Sequence, residues 1–215
     1  MSDAHHADVD RGGDGRDELA ELYLEGVEAV VSRGRTFAAG QWSLPACGSW
    51  TTADTVRHLV SVSGWYHDWL DRALDGDASR PFGGEHIDAY TAAALEEQGH
   101  LAPDAATEEF DRSARHYLAR TDERRELPYG FPFGTVTVGL HLGVAAAEWH
   151  LHAWDLSTAT GDRHRPADPA LLLRAVGECV AAASGGFRGG LVRRVVPLAA
   201  RRNPWETLLR RSGRG

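Results

Sequence analysis

Lysine is absent from this 215-residue chain: all 23 of its basic residues are arginine. That excludes a Schiff-base lysine and the lysine of a phosphate-binding P-loop. Cysteine is scarce, with only Cys47 and Cys179 and no CxxC spacing, so neither a disulfide scaffold nor a paired-thiol redox motif is available. A basic surplus is lacking too. Acidic residues outnumber basic ones 31 to 23, for a net charge of -8, which argues against a nucleic-acid partner because phosphate binding needs a basic face. No clean apolar run suits a membrane. Residues 127–147 carry no formal charge, but Pro128, Pro132 and four glycines interrupt them, whereas a spanning helix needs about 20 mostly apolar residues. The start, MSDAHHADVDRGGDGRDE, has neither the basic opening nor the apolar stretch of a secretory signal. The expectation is a cytoplasmic, reducing location with no membrane partner.

What is present reads as helix. Apolar residues make up 42% and charged residues 25%, ordinary values for a globular chain, and a chain this long hides roughly 70% of its unfolded surface without a staple. Residues 1–16, polar and rich in Gly and Asp, are expected to be disordered, with His5 and His6 solvated. Leu19, Leu22, Tyr23, Val27, Val30 and Val31 recur at helical steps and predict a helix over 17–39, stopped at Gly40. Thr51 followed by Asp54 is a capping box opening a second helix to Leu74. On it His58, Val62, Trp65 and Trp69 share an inward face. A third helical region, 86–124, is split by Pro103, with Asp104 as the expected cap and Phe110, Ala114, Tyr117 and Leu118 facing in. A fourth runs from Thr135 to Gly161, with TVTV read as its start rather than as a strand. A fifth follows Asp168, and after GGFRGG comes a short helix with Asn203 as cap and Pro204 in first position. The predicted architecture is all-α: a four-helix bundle over 17–162 with a helical, Arg-rich extension over 163–215.

The fourth helix carries the informative side chains, in AAEWHLHAWDLSTATG. Glu148 and His152 lie one turn apart on one face, a spacing that lets a carboxylate and an imidazole hold one ion. His141 points almost the same way but lies about 10 Å further along the axis, too far to share that ion. His150 points roughly 200° away from Glu148 and is excluded. A catalytic metal site usually has three protein ligands and an open position. His58, inward on another helix, meets the requirement for a third. His, Glu and His would suit zinc, with nickel or iron as alternatives. The plainer reading is a solvated Glu–His pair and a hydrogen-bonded core histidine.

Two segments sharpen the choice. PACGSWTTADTVRHL and the AAEWHLHAWDLSTATG already quoted resemble, in order and separation, the motifs of the mycothiol-dependent maleylpyruvate isomerase family, part of the wider DinB-like four-helix bundles. The resemblance covers about residues 17–162. It implies a DinB-like bundle binding a divalent metal, zinc foremost, through His58, Glu148 and His152. It also implies mycothiol as co-substrate. Asp155, in the H-x-x-D-L part of the motif, is expected to orient a metal-bound histidine or contact substrate, or else to pair with an arginine or serve ordinary helix packing. His141 is retained as a pocket residue. Cys47 lies within the first motif with no partner thiol nearby in sequence, so a nucleophilic role is not expected. Trp65, Trp69, Trp149 and Trp154 are expected mainly to pack the bundle. Family members with the isomerase activity carry a second domain, whereas 53 residues follow Asp162 here, so the thiol-dependent chemistry carries over more readily than the particular reaction.

Residues 187–215 hold eight Arg and one Glu, against a strongly acidic remainder. The plainer reading is a basic segment docked on the acidic body or simply solvated, and Trp205, Leu208 and Leu209, on one apolar face, predict that the last helix docks. The functional reading is that one of these arginines holds an anionic substrate, leaving the metal centre independent of the segment. The reading is a metal- and mycothiol-dependent isomerase or S-transferase acting on a small electrophile, as a monomer or homodimer. Its rivals are a non-catalytic metal-binding stress or ligand-sequestering bundle, and a bundle that has lost its metal.

Overall fold

A computed structural model describes residues 11–184 and 203–214. Among the described residues there are seven α-helices: α1 Arg11–Thr36, α2 Thr52–Leu74, α3 Ile87–Gln98, α4 Pro103–Thr121, α5 Val138–Ala159, α6 Pro169–Ala183 and α7 Pro204–Arg211. Two small antiparallel hairpins accompany them, β1 Pro45–Cys47 with β2 Trp50–Thr51, and β3 Pro128–Phe131 with β4 Gly134–Thr137. The protein is the expected all-α bundle. α1 packs against α4 and α5, α2 against α4 and more sparsely against α5, and α3 lies outside on α2. α6 packs on α5 and α7 on α6.

Local chemistry accounts for most boundaries. Thr51 accepts from the Asp54 amide while the Asp54 carboxylate accepts from the Thr51 amide at 3.0 Å, the reciprocal box that opens α2. The Asp168 and Asn203 side chains cap α6 and α7 by accepting from first-turn amides, each followed by proline in the first turn. The differences from expectation are also local. α1 starts at Arg11 rather than residue 17, because Gly12, Gly13 and Gly15 hide the start by their low helix propensity. It ends at Thr36, and a 3-10 turn over Ala39–Ser43 follows. Residues 1–10 lie outside the described residues. The helix over 103–121 is capped by Ala102 with Pro103 in the first turn, while Asp104 accepts from the next amide at 2.9 Å and does not cap. TVTV is divided: Thr135–Thr137 pair with Pro128–Gly130 across the second hairpin, and Thr137, accepting from the Leu140 amide, caps α5 at Val138.

The core is aromatic and closely packed. Trp149 is fully buried between Tyr23 and Phe110, each ring edge-on to it. His141, expected in a pocket, is enclosed instead. Tyr66, Tyr129, Trp69 and Phe131 surround it, and the Tyr117 hydroxyl bonds its Nδ1 at 3.1 Å. Its position on the α5 face was read correctly, but the large rings of α2 and the second hairpin fill the space beside it.

Burial pushes the His141 pKa from 6.5 down to about 3, and that of His164 to about 4, with the positive Arg33 adding to the latter. Both rings stay neutral in the fold, while the unfolded chain takes up protons near pH 6.5. The unfolded state therefore gains protons that the native state refuses, and stability falls as pH drops below 6.5. Denaturant unfolding should show lower stability at pH 5.5 than at pH 7.5. His141→Phe should flatten that dependence, and an unchanged slope would refute the assignment. Helix α1 approaches α5 most closely at Gly26, where a Cβ would lie 2.9 Å from the Trp149 Cβ. Gly26→Ala should cost about 1–3 kcal/mol and lower Tm by about 2–4 °C per kcal/mol, as scanning calorimetry would report.

Candidate metal centre

Helices α2 and α5 run antiparallel: His58, early in α2, meets Glu148 and His152, while Tyr66 further along meets His141 earlier in α5. Their contact is sparser than the other sides of the bundle, and the first hairpin bridges it, with β1 touching both helices. The cluster sits in this gap. Capping and amphipathic patterning place His58 one and a half turns into α2 on its inward stripe. Glu148 and His152 stand a turn apart on α5.

Both imidazole Nε2 atoms face the same carboxylate oxygen. His58 lies 3.4 Å and His152 3.3 Å from Glu148 Oε1, and the three donor atoms fall within 4.8 Å of one another. These separations are long for hydrogen bonds to a charged group. They match donors around one tetrahedral ion: bonds of about 2.0–2.2 Å place neighbouring ligand atoms about 3.3–3.5 Å apart. The donor chemistry and its spacing therefore fit a divalent cation. The His58 and His152 side chains are 8% and 4% exposed, whereas that of Glu148 is 30% exposed, so the trio opens to solvent at the carboxylate.

Burial would raise the Glu148 pKa, but hydrogen bonds from His152 and His58 outweigh it and hold the carboxyl well below its ordinary range. Burial lowers the His58 pKa and dominates over Glu148. For His152 burial also opposes the charged form, yet Asp155 and Glu148 together raise the pKa. The difference lies in the second nitrogen. His152 Nδ1 donates to Asp155 Oδ2 at 2.8 Å, which fixes the ring and turns Nε2 toward Glu148. His58 Nδ1 is buried with no hydrogen-bond partner. Packing holds this ring instead: the half-buried Trp50 lies 4.8 Å from it, centroid to centroid, and stacks at 6.4 Å on His152.

Asp155 combines two of the roles left open for it. It bonds His152 and is also gripped by Arg214, with Nε to Oδ1 and Nη2 to Oδ2 both at 2.7 Å. Burial raises its pKa, but His152 and Arg214 overcome this and lower it. Arg214 is thus engaged beneath the cluster rather than free for an anionic substrate. Arg210 and Arg211 are exposed, and the other five arginines of 187–215 lie outside the described residues. Cys47, His152 and Asp155 form a second grouping of metal-type donors within 4.8 Å. The Arg214 guanidinium, 3.6 Å from Cys47 Sγ, already fills that grouping with positive charge. His150 points away as expected, to the Leu22 carbonyl on α1 and to His164, each at 2.8 Å. Sequence reasoning missed Trp50 and Arg214. Trp50 stood within the first motif as a signal; nothing local marked Arg214.

Fold and cluster together define a class, helical bundles with a His–Glu–His trio between two antiparallel helices. The chain belongs to the family described as mycothiol maleylpyruvate isomerase N-terminal domain, which matches residues 23–157. The match includes His58, Glu148, His152 and Asp155. No curated protein and no solved structure matches the chain in the corresponding comparisons. Among the described residues, no helix is long and apolar enough to cross a membrane.

Burial and the nearby Asp155 charge push the Cys47 thiol up to about 11 despite Arg214, and burial pushes Cys179 to about 12. About one Cys47 thiol in a thousand is then ionised at pH 8, so it should be a poor nucleophile. Ellman's reagent should modify native protein slowly at pH 8, faster as pH rises, and should find two thiols at once in denaturant. Rapid labelling of Cys47 in a Cys179→Ala background would overturn this.

Proposed function

We propose that this protein is a divalent-metal- and mycothiol-dependent enzyme, an isomerase or S-transferase acting on a small electrophile. The observation that carries the reading is the convergence of His58, Glu148 and His152 on one point, in a chain of a mycothiol-linked family. These three residues would hold the cation, zinc foremost. It would supply Lewis acidity, making a thiolate available at neutral pH. The chain's own residues do the rest. Asp155 keeps the His152 proton on Nδ1, Glu148 borders the solvent-facing side, and Trp50 walls the two imidazoles from water. With an external thiol as nucleophile no protein nucleophile is needed, in keeping with a protonated Cys47. A thiol that adds to an electrophilic carbon and leaves after bond rotation gives isomerisation; one that stays gives a conjugate.

Zinc-reconstituted protein should hold about one ion per chain. His58→Ala, Glu148→Ala and His152→Ala should each remove most of it. His150→Ala should cost stability through its lost bond to Leu22 while keeping the stoichiometry. Chelation should lower Tm, because the ion binds only the folded state. Calorimetry should show mycothiol binding to the zinc form more tightly than glutathione. Zinc uptake without mycothiol binding would leave a metal-sequestering bundle, and no zinc uptake would refute the metal site itself.

A further inference from the structure

Arg214 follows α7 at a tightly specified turn. Gly213 adopts a left-handed φ of 80°, its amide bonds the Arg210 carbonyl at 3.2 Å, and the Arg214 amide bonds the Leu209 carbonyl at 2.8 Å. This paired closure is the glycine-dependent helix stop, and it reverses the chain direction after α7. The helix itself is anchored by buried Trp205, Leu208 and Leu209. The turn therefore delivers the guanidinium to one place, the Asp155 carboxylate, where it spans both oxygens while Nη1 bonds the Ser212 carbonyl at 3.3 Å.

Asp155 is 1% exposed. A buried carboxylate needs a paired charge, and removing the partner leaves it uncompensated. Its Oδ2 does two things at once, accepting from Arg214 and from His152 Nδ1. A two-point grip by a planar fork fixes the plane of the carboxylate, which a single bond would leave free to rotate. The order of constraint runs from α7 to Arg214, to Asp155, to the His152 ring, and so to the direction of the Nε2 lone pair beside Glu148.

Resting on the metal reading above, we infer that Arg214 is a positioning residue of the metal centre, so that the segment carrying α7 is part of the ion site rather than an independent substrate clamp. This replaces the expectation that the centre would be indifferent to residues 187–215.

The test uses full-length protein with zinc and cobalt, reading zinc affinity by chelator competition and ligand geometry by the visible absorption of bound cobalt. Arg214→Ala should weaken zinc about 10–100-fold, the range for groups that orient a metal ligand, and should alter the cobalt spectrum. Arg214→Lys should recover part of the affinity, because it restores charge without the fork. Asp155→Asn combined with Arg214→Ala should lose little more than the worse single variant, since both act along one path. Leu208→Ala, which loosens the α7 anchor while leaving the guanidinium in the chain, should lower Tm and weaken zinc, but less than Arg214→Ala does. Arg214 variants that bind zinc like wild type with an unchanged cobalt spectrum would overturn the inference while leaving the metal reading intact. If Arg214→Ala fails to fold, Arg214→Lys decides the matter by the same two readouts. Wild type that takes up neither metal would instead overturn the metal reading and this inference with it.

Discussion

Three lone pairs aimed at one point repel each other unless something positive lies between them. That constraint governs the space between α2 and α5. His58 Nε2 and His152 Nε2 sit 3.4 and 3.3 Å from Glu148 Oε1, further than good hydrogen bonds require and close to the spacing of ligand atoms around one ion. A proton satisfies one pair at a time; a divalent cation satisfies all three. Everything around the trio makes its alternatives worse: the imidazoles are buried, Trp50 keeps them from water, and Asp155 holds the second nitrogen of His152 as a donor.

Holding such a trio requires rigidity where bundle packing is thinnest. The α1–α5 side, closed down to the approach of Gly26 and Trp149, fixes α5 from behind. The second hairpin and the cage around His141 lock the far end of the α2–α5 pair. The first hairpin spans the open side and is held to α2 by the Thr51–Asp54 cap. The cluster is therefore framed by packing, and of its three donor residues Glu148 is the most exposed.

Much of this was legible from local rules. Capping pairs and apolar periodicity give the helices, and a turn's spacing gives Glu148 with His152. The inward stripe of α2 brings His58 to them. What failed shows where local rules end. TVTV has strand propensity and helix-start chemistry together, and only the partner segment at Pro128–Phe131 decides between them. His141 has the right direction on α5, but whether a direction leads to a pocket or a packed cage depends on rings from other elements. The spacing of Trp205, Leu208 and Leu209 foretells the docking of α7, but Arg214 is one arginine among eight in its segment, and its distinction lies in the Gly213 turn that carries it to Asp155, which no spacing in the sequence reveals.

The charge count explains why an arginine, and not a second metal, belongs beneath the cluster. With neutral imidazoles, Glu148, Asp155 and Arg214 leave one net negative charge, so a dication would be attracted and would turn the site positive by one. A thiolate would then meet a favourable field at the solvent-facing side, although the body around it is acidic. Without the guanidinium, the same loaded site would be neutral and that attraction would vanish. A second cation at Cys47, His152 and Asp155 would compete with the first for the same imidazole and require Cys47 to ionise where burial and Asp155 oppose it. Arg214 supplies positive charge there with no such demand. With an ion held above His152 as proposed and the guanidinium below it, every buried charge would have a partner.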